Sequence, residues 1–229
     1  MIIQIYAFTE IEQAIQAAHM GVDHIGFIAG DSGLVHAELS YSAARALAHA
    51  LPAGTRKVAL TMAVEIDEIL RMVDIVQPDI VHISTDLHDI SLKGVEELRK
   101  RLPQTVELMK AIPVEGAQSF APALQFASLC NYLLLDSKVR GMPGVGATGQ
   151  THDWSISRQI IQAADIPVIL AGGLTPDNVQ QAIQTTSPAG VDSNTSTNLP
   201  GDPVKKDLQR IRSFVDAARR EQAQATQIT

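Results

Sequence analysis

The sequence predicts an α/β protein, a closed (β/α)8 barrel with eight parallel strands and eight outer helices. Three observations carry this. Short apolar, β-branched runs alternate strictly with stretches of helical periodicity, the pattern of a parallel sheet covered by helices. Eight such pairs fit into 229 residues, at roughly 28 residues apiece, which suits one barrel. The last two strands both open into loops rich in glycine, hydroxyl and amide groups, where this architecture builds its phosphate site. A doubly wound open sheet is the alternative; the equal units and the paired terminal loops favour closure.

Ile2–Tyr6 is the first expected strand, and Thr9 should cap a helix whose apolar positions are Ile11, Ala14, Ile15 and Ala18, ended by Gly21. His24–Ile28 is the second strand. A small, polar loop over 29–38 follows, then a helix capped by Ser40 that stops at Leu51-Pro52-Ala53-Gly54. The third strand, Lys57–Met62, precedes a helix from about Glu65 to Val76; the fourth, Ile80–Ile83, precedes a helix capped by Ser91 that reaches Arg101. Val106–Ile112 and Tyr132–Leu135 are the fifth and sixth strands, with an apolar helix over Ala117–Ala127 between them.

Residues 137–153 form the longest and most glycine-rich loop, leading to a helix over Trp154–Ala164. Val168–Ala171 then runs into Gly172-Gly173, with Thr175 placed as a helix N-cap and Pro176 at the first helical position, which is where each is favoured. That helix runs to Thr186, Gly190–Asp192 is the eighth strand, and the last helix covers about Pro203–Arg219. One domain is expected over 1–220, followed by a polar tail over 221–229.

Composition excludes several classes. With 45% hydrophobic and 19% charged residues the chain can bury a large core. A formal net charge of −7 without a basic stripe argues against nucleic acid or an anionic membrane as partner. One cysteine, Cys130 in an apolar run, excludes an internal disulfide, and the scattered histidines lack metal-ligand spacing. No metal and no cofactor are expected. The opening Met1–Tyr6 lacks a basic segment and no apolar run reaches 18 residues, so the expectation is a cytoplasmic protein acting as a monomer or homodimer on a phosphorylated small molecule.

The chemistry of such a barrel sits at the C-terminal ends of its strands. Gly172 and Gly173 leave backbone N–H groups open to an anion beside a helix N-terminus, and Asn194 and Thr195 follow the eighth strand with further donors. Asp136 emerges directly from Leu133-Leu134-Leu135, where partial desolvation raises a carboxyl pKa and suits it to acid–base work; a loop aspartate capping a turn is the bland alternative. Lys110 ends the fifth strand and can bind phosphate, form a Schiff base, or merely pair with Glu107 or Asp136. His82, in the fourth strand, is either a proton shuttle or a hydrogen-bonded core histidine.

With these residues in view, the chain resembles phosphoribosylanthranilate isomerase. Ile169–Val179 is similar to that family's seventh-strand signature, Gly190-Val191-Asp192 to its eighth-strand motif, and Leu135-Asp136, Gly146-Ala147-Thr148-Gly149 and His152-Asp153-Trp154 to its sixth strand and glycine-rich loop. The resemblance implies an aldose–ketose (Amadori) isomerisation in tryptophan biosynthesis, with Asp136 as general acid. It also implies Gly172, Gly173, Asp192, Asn194, Thr195, Thr148 and Gly149 around the phosphorylated substrate, with Lys110 added from its strand-end position. Where the family has Lys-Ile-Cys-Gly this chain has Gln4-Ile5-Tyr6-Ala7, so a tyrosine stands in place of the general-base cysteine and Tyr6 or His82 is expected to take the proton. Asp31-Ser32-Gly33-Leu34 lacks the family's substrate-binding arginine. A paralogue acting on another phosphosugar and a non-catalytic phosphometabolite-binding barrel are the other readings.

Overall fold

A computed structural model describes residues 1–31, 33, 35–138, 144–146 and 149–227, with 221–227 described by backbone alone. The barrel strands are β1 (Ile2–Ile5), β2 (His24–Ala29), β3 (Arg56–Thr61), β4 (Ile80–Ile83), β5 (Glu107–Pro113), β6 (Tyr132–Asp136), β7 (Val168–Leu170) and β8 (Gly190–Ser193). Each pairs in parallel with its sequence neighbour, and β8 returns to β1 through the register Ile2↔Gly190 to Ile5↔Ser193. The ring is therefore closed. The helices are α1 (Ile11–His19), α2 (Tyr41–Ala50), α3 (Ile66–Val76), α4 (Leu92–Arg101), α5 (Phe120–Ala127), α6 (Trp154–Ala163), α7 (Val179–Thr186) and α8 (Leu208–Gln227). No helix among the described residues is long and apolar enough to cross a membrane.

Side-chain alternation along each strand divides the apolar residues into two cores. Val58, Ile80, Met109, Leu134 and Ile169 fill the barrel interior, each at most 2% exposed. Their neighbours in sequence, such as Val81, Leu108, Leu133 and Leu170, face outward against helix residues that include Leu47, Met72, Leu98 and Phe214. Parallel strands buried on both faces read as continuous apolar runs, which is why they stand out in the sequence.

Several ends differ from expectation for local reasons. Ser40 and Ser91 do cap their helices, accepting from the N–H groups of Ala43 (3.3 Å) and Gly94 (3.2 Å). Thr9 does not: Glu10 is the N-cap of α1, without a side-chain bond. Thr175 and Pro176 open a turn rather than α7. The Asn178 carboxamide oxygen accepts from Thr175 N–H (2.8 Å), Thr175 Oγ1 accepts from Asp177 N–H (3.2 Å), and the helix starts at Val179.

The last helix also begins later than expected, at Leu208, and extends to Gln227 rather than Arg219. Asp207 Oδ1 accepts from the N–H groups of Gln209 and Arg210 at 2.9 and 3.2 Å and so acts as its cap. Upstream, Lys206 is held in an isolated antiparallel bridge to Asn198. A two-residue strand, Glu38–Leu39, pairs with the end of β2 inside the segment expected to be only loop.

Candidate active site at the barrel mouth

Inward-pointing side chains at the C-terminal strand ends surround a cavity of about 500 Å³ whose lining includes Tyr6, His82, Asp136, Asp192, Asn194 and Thr195. Ile28, Leu60, Met62 and Leu134 give it an apolar wall. A smaller recess beside it is lined by Gly149, Gly172, Gly173, Ser193, Asn194 and Thr195, with Asp136 and Asp192 at the boundary shared by both. The structure thus brings together most of the sequence-selected residues. Thr148 lies outside the described residues.

Asp136 ends β6 and turns its carboxylate toward two glycines. A Cβ on Gly146 would lie 2.3 Å from its Oδ2, and one on Gly172 would lie 3.3 Å from its Oδ1. Burial pushes its carboxyl up to about 7, against the opposing N–H of Ser137, which donates to Oδ1 at 2.7 Å. A carboxyl that exchanges its proton near neutrality is suited to general acid work.

Asp192 lies in β8, one residue before its end, and is 6% exposed. Its Oδ1 accepts from Gln4 Nε2 at 3.1 Å, and Gln4 Oε1 is in turn 3.0 Å from His24 Nδ1. Burial first, then the charge of Asp136, raise Asp192 to about 8; the Gln4 bond and Lys206 oppose this. Gln4 was not picked out from the sequence, where a glutamine in an apolar strand gives no sign of which face it takes.

Tyr6 and His82 meet on the cavity floor, with the Tyr6 hydroxyl 2.8 Å from His82 Nδ1. Burial and then the Asp192 charge hold the phenol well above its ordinary value. Burial and then the Lys110 charge bring His82 down to about 3, so its imidazole is neutral. His82 Nε2 is buried without a partner.

Lys110 does not reach the mouth. Met109 and Ala111 face the barrel interior, so Lys110 faces the helix layer, fully buried, with its Nζ donating to the Thr85 carbonyl (2.5 Å) and lying 5.9 Å from the Phe126 ring centre. Pairing with Glu107 or Asp136, one expectation from sequence, is not its arrangement. Asp31, also at a strand end, is exposed and 3.6 Å from Arg71.

The glycine pair serves a purpose that the sequence does not show. Gly172 and Gly173 have φ of +81° and +60°, and a Cβ on Gly173 would lie 2.6 Å from the carbonyl carbon of Gln150. The protein's own 149–152 segment crosses directly over them, so these glycines admit a close backbone approach as well as lining the recess.

The loop after β8 carries another feature that sequence reasoning missed. Lys206, 3% exposed, donates to Asn198 Oδ1 (2.6 Å), Asn194 Oδ1 (3.0 Å) and the Asn194 carbonyl (3.1 Å). It fixes the turn that presents Asn194 and Thr195 to the recess. In the sequence, Lys206-Asp207 resembles only the stretch leading to the family's last helix, and its burial reveals this role.

Comparison with known proteins gives a consistent match. A family model described as N-(5'phosphoribosyl)anthranilate (PRA) isomerase matches residues 3–217. The N-(5'-phosphoribosyl)anthranilate isomerase of Methanothrix thermoacetophila is 35% identical over 208 residues, covering 89% of this chain and 93% of its own. The crystal structure of phosphoribosyl anthranilate isomerase from Thermotoga maritima superposes with a TM-score of 0.80 at 26% identity, covering 96% and 99% of the two chains. A phosphoribosyl anthranilate isomerase in complex with reduced 1-(o-carboxyphenylamino)-1-deoxyribulose 5-phosphate superposes at 0.74, with 25% identity and the same coverage.

Proposed function

The chain belongs to the N-(5'-phosphoribosyl)anthranilate isomerase family, the aldose–ketose isomerases of tryptophan biosynthesis, and from that premise we propose that Asp136 is the general acid of this isomerisation. The observation carrying the assignment is a buried carboxyl at a strand end, raised to about 7 and facing a cavity with an apolar wall. Protonating the ribose ring oxygen lets the C1–O bond break as the amine nitrogen forms a C1=N bond; loss of the C2 proton then leads to the ketose. Asp136 supplies the first proton.

The phosphate is assigned to the recess between Gly149, Gly172, Gly173, Asn194 and Thr195, whose backbone and side-chain donors can satisfy an anion in a chain of net charge −7. Thr148 stays in this assignment on its sequence position beside Gly149. The aryl amine is assigned to the Ile28, Leu60 and Leu134 wall. Lys110 is left out, because it faces the helix layer. Tyr6 and His82, bonded to each other, are assigned to the cavity floor. The family match over nearly the whole chain favours this reading over another phosphosugar or a non-catalytic barrel.

The test is turnover of freshly made phosphoribosylanthranilate, followed by loss of its fluorescence, with Asp136→Asn alongside. The variant should lose about 10²–10⁴-fold in kcat with little change in KM. A fully active variant would remove Asp136 from the acid role, and a silent wild type would overturn the activity itself.

A further inference from the structure

We propose that Asp192 is the base that takes the C2 proton, so that two carboxyl groups at the barrel mouth carry out the isomerisation as an acid–base pair. This rests on the reading of Asp136 above and adds the partner which that reaction requires.

The cavity offers few alternatives. Among its described lining residues the titratable side chains are Tyr6, His36, His82, Asp136 and Asp192. His36 is exposed at the rim. Tyr6 is bonded to His82 at 2.8 Å, and a phenolate there would place a second negative charge near Asp192. His82 could accept a proton only by forming a buried imidazolium, which burial and the positive charge of Lys110 disfavour, while its Nε2 has no acceptor to stabilise it. With Asp136 assigned as the acid, Asp192 is the remaining buried carboxyl among the described lining residues.

No structural role accounts for Asp192. It is 6% exposed, forms no ion pair among the described residues, and receives one side-chain hydrogen bond, from Gln4. A buried carboxyl kept only for stability is normally paired and fully bonded. The Gln4 amide is itself oriented by His24 at 3.0 Å, so Asp192 is fixed in direction without an ion-pair partner. Gln4 is bonded to it, and the charges of Asp136 and Lys206 act on it.

The arrangement places a reacting carbon between two carboxyls. Asp136 ends β6 and Asp192 lies near the end of β8, and both line the cavity and the recess beside it. Asp136 gives its proton to the ring oxygen as the C1–O bond breaks and the nitrogen lone pair forms C1=N. Asp192 carboxylate then takes the C2 proton; the C2–H electron pair forms C1=C2 and the C=N π pair returns to nitrogen. The resulting enol gains a proton at C1 from Asp192 and returns its hydroxyl proton to Asp136, directly or through solvent. Both groups end as they began, and no co-reactant is consumed.

Asp192→Asn and Asp192→Ala in the full-length chain test this with phosphoribosylanthranilate. Asp192→Asn should lower kcat by about 10²–10⁴-fold with KM little changed. Formate should restore activity to Asp192→Ala, which a merely structural residue would not allow. Asp192→Glu, which keeps a carboxyl, should retain more activity than Asp192→Asn. A rise in melting temperature with inorganic phosphate, as in wild type, shows that a variant keeps a folded site. If Asp192→Asn stays within tenfold of wild type, or if Tyr6→Phe loses as much while formate rescues nothing, Asp192 is not the base. A wild type without turnover would instead overturn the functional reading, before any Asp192 variant is compared.

Discussion

Asp136 is shaped by what lies against it. Gly146 has φ of +97°, and any Cβ there would fall 2.3 Å from Asp136 Oδ2. Gly146→Ala therefore forces the carboxylate aside and strains the turn as well, and steady-state kinetics should show kcat falling by at least tenfold, since misplacing a reacting group by about 1 Å can cost on the order of a hundredfold. Circular dichroism should show the fold retained. Asp136, Asp192 and the glycine pair were legible in the sequence because each interrupts an apolar run at its C-terminal end. Lys110 was not, because its strand is apolar on both faces and its register with Ile83 and Leu133, which sets it facing outward, is invisible in a run of hydrophobic residues.

At the scale of elements, the segment from β8 to α8 governs the anion recess. Lys206 satisfies the Asn194 carbonyl and the Asn194 and Asn198 side chains at once. Lys206→Met removes the donor and leaves buried acceptors unpaired, at about 1–3 kcal/mol for a group left unsatisfied. Denaturant titration should show that loss, and inorganic phosphate should raise the melting temperature of the variant less than that of wild type. The strands were legible almost to the residue, whereas helix starts were less so. Thr175-Pro176 has the sequence of a helix start, and Thr175 does make capping-box bonds with Asp177 and Asn178, but they close a turn that precedes the regular helix from Val179. The late start of α8 is set by Asp207, which supplies the cap in place of a residue near Pro203.

For the whole molecule, the buried titratable groups set how stability follows pH. Asp192 is about 8 when folded and 3.8 as its ordinary value, so between these limits the native chain holds a proton that the unfolded chain has lost, and stability falls as pH rises. His24, His82 and His152, lowered to about 4, 3 and 4, act in the opposite sense below about 6.5. The Asp192→Asn variant isolates the carboxyl: its stability relative to wild type should increase from pH 4 to 8, by on the order of 1 kcal/mol per pH unit at most, and level off above. Urea midpoints at pH 5, 7 and 9 would show this; a constant difference would mean that Asp192 is not held protonated by its surroundings. A gain in stability where activity is lost is the usual relation at a site built for reaction.

The hydrogen bond between Gln4 and Asp192 spans 188 positions of sequence. During synthesis the first strand must wait, its inner face polar and its edge unpaired, until nearly the last of the barrel leaves the ribosome. No partially made chain can therefore carry a finished pocket, and any nascent product is inert toward metabolites until the ring shuts. Addition of the last strand and onset of catalysis become one event.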